Sequence, residues 1–147
     1  MSVPWKAEGY PTVSPYYHVM EGDALPLFEF LKNVFGAELM WQHLEETDGR
    51  VVNSEVRIGD SRFNISELHA KEGTIAPGTH HALVYVEDTD AVYQLALQAD
   101  AISIMEPTDM PWGHRVACVM DPSGIRWHLL TQKRIIPEGS PTRHWHW

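Results

Sequence analysis

The stretch "DPSGIRWHLL", residues 121–130, carries the clearest structural statement in the chain. Asp121-Pro122-Ser123-Gly124 has the composition of a tight turn. The residues after the turn alternate in character. Ile125, Trp127 and Leu129 fall on one face of an extended segment, and Arg126, His128 and Leu130 on the other. The first row is bulky and apolar, suited to packing beneath a helix. The second shows an arginine and a histidine on the open face. A strand with one helix-packed face and one polar face belongs in a sheet covered on one side.

Working outward, the same plan is written twice. Residues 13–20 (Val13 to Met20) read as a strand, Glu21-Gly22-Asp23 as a turn, and Ala24–Val34 as a helix, with Leu27, Phe28, Leu31, Val34 and Phe35 at helical spacing. Asp23 is expected to cap that helix and Gly36 to end it. Strands are predicted at Glu38–His43, Val51–Ile58 and Arg62–Ser66, with turns at Thr47-Asp48-Gly49 and Gly59-Asp60-Ser61. The order then recurs. His81–Val86 is a strand, Glu87–Asp90 turns into a helix faced by Val92, Leu95, Ala96 and Ala99, and strands come next at Ile102–Met105, Val116–Met120 and Ile125–Leu130. The chain is thus a βαβββ unit used twice, an α+β fold. The first module covers residues 10–69 and the second 80–132. Residues 70–79, rich in Gly, Thr, Ala and Pro, form a linker, and 133–147 a tail, all within one structural domain. Each helix is expected to cover its own four-stranded sheet, leaving the concave faces to build a shared cleft for a small molecule.

Bulk properties narrow the partners. A formal net charge of −9 argues against nucleic acid as the main partner, because phosphate binding needs basic patches. No apolar run is long enough to cross a bilayer, so no membrane partner is expected. The opening Met1–Glu8 has no basic end followed by an apolar core, and the single Cys118 cannot form an internal disulfide. Both fit a cytoplasmic protein. Cys118, among Val116, Ala117 and Val119, reads as a packed thiol. The terminal His144-Trp145-His146-Trp147 reads as a surface arm or packing strip.

The repeated unit resembles the vicinal oxygen chelate superfamily of glyoxalase I, the bleomycin-resistance proteins and the extradiol dioxygenases. Four segments carry the resemblance in order: "SPYYHVMEGDALPLFEFLKNVFGAEL", "RIGDSRFNIS", "HHALVYVEDTDAVYQLALQADA" and "MEPTDMPWGHRVACVMDPSGIRWHLLTQ". They are nearest to the glyoxalase-like "SPY…IGDS…DP.G..W" branch. In metal-using members, ligands come from the first and last strand of each module. Carried over, this implies His80 at the start of the second module, with a one-residue shift choosing His81. It implies His128 four residues after Gly124, where glutamate is common. In the first module it implies Tyr16, with His18 two residues along the same face, and Asn64 beside Ser66. Tyr16 and Asn64 depart from the usual histidine and glutamate. Glu67 has the opposite parity.

The resemblance admits two functional readings. In the first, His18, His80 and His128 hold a zinc, nickel or iron ion that polarises a substrate for lyase, isomerase or dioxygenase chemistry, with His18 or His128 alternatively acting as a base. In the second, the chain is a metal-free sequestering protein of the bleomycin-resistance type, which stacks an antibiotic or metabolite between Tyr16, Trp41 and Trp112. Trp112 is expected to close one end of the cleft, and Arg115 or His114 to meet an anionic group. Arg126 and Arg62, at matching places in the two modules, each call for a carboxylate partner or an anionic ligand. The resemblance also implies a homodimer.

Overall fold

The computed structural model of the chain describes residues 2–137. The tail from residue 138, with its His-Trp alternation, lies outside the described residues. Two βαβββ units are present in order: β1 (Tyr16–Met20), α1 (Ala24–Phe35), β2 (Glu38–Leu44), β3 (Val51–Ile58) and β4 (Ser61–Leu68), then β5 (His81–Tyr85), α2 (Thr89–Gln98), β6 (Ile102–Asp109), β7 (His114–Met120) and β8 (Arg126–Gln132). A short 3-10 turn at Ala70–Glu72 opens the connection between them. The sheets have matching orders, β1-β4-β3-β2 and β5-β8-β7-β6. In each, the first and last strands are parallel neighbours and the other pairs antiparallel. No helix among the described residues is long and apolar enough to cross a membrane.

Strand alternation sorts the side chains as the pattern predicts. Val19, Val56, Phe63 and Ile65 of the first sheet lie against α1, with Leu27, Phe28 and Leu31 from the helix. Ile125, Trp127, Leu129, Ala117 and Val119 of the second sheet join the same core with Tyr93 and Ala96 of α2. One apolar core therefore unites the helix sides of both sheets. Trp127 lies at the junction, its ring centroid 5.2 Å from Phe35 and 6.3 Å from Phe63. Truncating so large a buried aromatic to alanine typically costs about 3–5 kcal/mol.

The helix starts differ from the expectation. Asp23 occupies the N-cap position of α1, but its backbone is helical (φ −91°, ψ −12°) and its side chain makes no capping bond. An N-cap side chain reaches the first-turn amides best from extended backbone. Glu67 of β4 takes that role instead. Its Oε2 accepts from the amides of Gly22 (2.6 Å) and Ala24 (3.1 Å), and its Oε1 from Val51 (2.7 Å). The parity that turns Glu67 from the open face places it at the helix start. In the second module Asp88 is extended (φ −140°, ψ 98°) and its Oδ1 accepts from the Ala91 amide at 3.1 Å. Gly36 ends α1 in the left-handed conformation (φ 67°), its amide donating back to Leu31 and Lys32.

Candidate functional site

The geometry of the open face of the second sheet begins at the 121–124 turn. Asp121 is buried, and its Oδ1 accepts from the Ser123 amide (2.7 Å), Ser123 Oγ (2.6 Å) and the Ile125 amide (3.3 Å). Its Oδ2 accepts from Trp127 Nε1 at 2.7 Å. Burial pushes the Asp121 carboxyl above the usual carboxylate range, while these hydrogen bonds pull it down. Trp127 is thereby anchored on the helix side. Arg126 and His128 must then project from the opposite face.

The connection before β5 folds over this row. The Gly78 amide donates to the Gly124 carbonyl at 2.7 Å. Gly78 has φ +81°, and a Cβ placed there would meet Arg126 Nε at 2.8 Å. The left-handed backbone favours glycine there, and any Cβ would displace the guanidinium. The Gly78 carbonyl also faces His81 Nε2 at 2.9 Å, and His81 Nδ1 lies 3.0 Å from His128 Nε2, the rings stacked at 18°. A carbonyl only accepts, so in the neutral pair His81 carries its proton on Nε2. His81 Nδ1 is then the acceptor and His128 Nε2 the donor, which leaves the lone pair of His128 on Nδ1. Burial, then His81, then Arg126 push the His128 pKa below its ordinary 6.5. The neutral form of His128 is thus favoured beside the Arg126 cation.

His81, not His80, shares the His128 face. His80 lies one residue earlier, so its ring turns to the helix side and packs on Tyr17 at 5.2 Å. The Tyr17 hydroxyl donates to the His81 carbonyl at 3.3 Å, tying the modules together. His18 is on the open face of the first sheet, its Nδ1 2.8 Å from Ser66 Oγ, with Tyr16 edge-on to it at 4.8 Å. Asn64 is the cross-strand partner of Tyr16 and donates to the Ser54 carbonyl at 3.0 Å. Trp41 stands opposite Glu55 on the same face.

Other candidates are placed elsewhere. Arg115 points toward the start of α2, held by Asp90 (2.6 and 2.9 Å) and Asp109 (3.1 Å), partners that raise its pKa further. Its charge is answered there, off the His128 row. His114 is buried, its Nε2 3.1 Å from the Tyr85 hydroxyl. Trp112 is buried over Val116 and Leu130, covering one end of the second open face. Cys118 is buried beside His128 on β7, and burial raises its pKa to about 11, so the thiol stays protonated.

Two features are not foreseen from the sequence. Glu55 is buried on the open face of the first sheet, across from Asn64, and pairs with Arg62 at 3.5 Å. The alternation Asn53, Glu55, Arg57 in its strand is the available signal. The other is a group of Glu21, Asp48 and His69 at the strand ends, away from both polar rows. There His69 Nε2 is 3.1 Å from Asp48 and Nδ1 3.5 Å from Glu21. The ring already bridges the two carboxylates through both nitrogens.

Comparison with known proteins agrees with this architecture. An uncharacterized protein of Mycobacterium bovis is 29% identical over 129 residues, covering 81% of this chain and 82% of its own length. A gene product of Arabidopsis thaliana superposes with a TM-score of 0.65 at 20% identity, over 82% of this chain and 98% of the other. The fosfomycin resistance protein FosX from Mesorhizobium loti superposes with a TM-score of 0.60 at 15% identity, over 82% and 91%. At such identities the structural likeness concerns the fold. The family model described as Glyoxalase/Bleomycin resistance protein/Dioxygenase superfamily matches residues 16–129. The duplicated βαβββ unit and this match together establish that the chain belongs to that superfamily.

Proposed function

We propose that the chain is a small-molecule-binding protein whose ligand lies along the open faces of the two sheets, in the manner of a metal-free sequestering protein. The fold admits enzymes and resistance proteins alike, so the choice rests on the site. The carrying observation is the exposure of aromatic and apolar side chains on these faces beside polar ones. Tyr16 (47%), Trp41 (42%), Leu83 (51%) and Tyr85 (61%) are open to solvent next to His18, Asn64, His81 and His128. Such surfaces serve ligands or partners. Since one core joins the helix sides, each open face is available to a second copy, and a homodimer in the cytoplasm would close the shared cleft.

The donor set bears on the metal reading. His81 Nδ1 and His128 Nε2 are two imidazole donors, and no third His, Cys, Asp or Glu donor joins them among the described residues. Catalytic zinc sites use three protein ligands. His80 packs on Tyr17 and His18 on Ser66, separate surroundings that support the metal-free reading. The Glu21, Asp48 and His69 group has three donors, but its histidine is committed to the carboxylates.

Titration of the purified chain with a panel of aromatic amines and carboxylates, followed by tryptophan fluorescence and sedimentation, tests the proposal. A saturable signal from a dimer, weakened in Trp41→Ala and Tyr85→Ala, is expected. Absence of saturable binding across the panel would sink it.

A further inference from the structure

The duplication provides an internal control for one charged residue. Arg62 and Arg126 lie at the start of the last strand of their modules, second in β4 and first in β8, two residues before Asn64 and His128 respectively, on the open face. In the first sheet the residue across from Asn64 is Glu55, buried and paired with Arg62 at 3.5 Å. The Arg62 guanidinium also lies 4.5 Å above the ring of Tyr10. In the second sheet the residue across from His128 is Cys118. The thiol holds its proton and supplies no counter-charge. Arg126 makes no ion pair among the described residues, and its buried Nε has no hydrogen-bond partner. Its cross-strand neighbours are His81 and Met120.

A half-buried guanidinium without an anion is costly unless a ligand supplies one. Gly78 seats its backbone against this guanidinium, so the cation is held in place and its ordering cost is met before binding. Leu83 and Tyr85 extend from the same face as an exposed apolar surface. We infer that Arg126, flanked by His81 and His128, is the receptor for a small oxyanion, a carboxylate or a phosphate-type group, on a ligand whose apolar body rests on Leu83 and Tyr85. This rests on the small-molecule reading above and adds the ligand's charge and its orientation. It also distinguishes the modules: the first answers its arginine internally, the second leaves it for the ligand.

Three probes test it on the full chain by two-dimensional NMR of backbone amides and histidine rings. Benzoate represents the carboxylate, inorganic phosphate the phosphate, and benzamide the neutral isostere. Saturable shifts at His81, Arg126 and His128 are expected with benzoate or phosphate, and the stronger of the two identifies the anion. Arg126→Gln should weaken that binding about 10- to 100-fold, the loss of a charge-assisted hydrogen-bonded contact. Arg62→Gln, whose partner is already present, should change it little. Should Arg126→Gln prove insoluble, Cys118→Asp places a carboxylate where the first module has one and should abolish anion binding in a folded protein. Equal binding by wild type and Arg126→Gln, or no binding of either anion, overturns the inference. Benzamide binding without anion binding would overturn it while leaving the small-molecule reading intact.

Discussion

Arg62 and Arg126 occupy one position in two copies of one unit, and the two copies treat them differently. The first sheet surrounds its arginine with Glu55 and Tyr10. The second places the Gly78 backbone against it and puts Cys118 where the carboxylate would be. The helix starts differ in the same spirit. A buried Glu67 from a distant strand ties α1 to its sheet, whereas Asp88 caps α2 locally. The first module has its polar groups committed to structure. The second keeps a cation and a histidine pair on an open face.

The largest effect should come from Glu67. Glu67→Ala leaves three amides around the start of α1 and β3 without their acceptor and should lower stability by about 3 kcal/mol or more, read from the urea midpoint. A loss no greater than that of an exposed glutamate would break the contrast between the helix starts. Glu55→Gln strips the partner from Arg62 and should cost about 2 kcal/mol, moderated by the long, partly solvated pair. Asp88→Ala should cost about 1 kcal/mol, a single N-cap bond. Arg126→Gln should cost less than about 0.5 kcal/mol or even stabilise the unliganded protein, since no ion pair is lost. A large loss there would show that Arg126 is structurally committed after all.

The smallest effect concerns pH. The His128 pKa is depressed on folding, so below 6.5 the unfolded chain takes up the proton before the native one. Stability from this group is therefore present above the unfolded pKa and lost as pH falls through the folded value. Unfolding midpoints of the wild type should decline on acidification below pH 6.5, and His128→Gln should decline less. Parallel pH profiles for the two proteins would contradict a desolvated His128.

The duplicated unit, both helices and the two-faced strands are legible in the sequence because alternation and helical spacing report burial directly. Trp127 inward with His128 outward is a consequence of parity in "DPSGIRWHLL". The cap of α1 is not legible, because Glu67 lies far along the chain from the Gly22 and Ala24 amides it serves. The sequence favours His80 over His81 whereas the structure places His81 beside His128, because a strand's first residue has no preceding alternation to set its facing, and a one-residue shift reverses it. It leaves Arg115 available to a ligand because the pairing with Asp90 and Asp109 exists only once α2 and β6 meet β7.

The sequence by itself determined the family, the order of elements and which strand faces are apolar, since each comes from local periodicity and from turn residues. Tertiary structure decided which charges remain unanswered. Whether an arginine meets a carboxylate depends on the residue diagonal to it on the adjacent strand, a neighbour set by register rather than by spacing along the chain. That distinction separates Arg62, paired with the diagonal Glu55, from Arg126, whose matching diagonal position holds a protonated thiol beside an open surface.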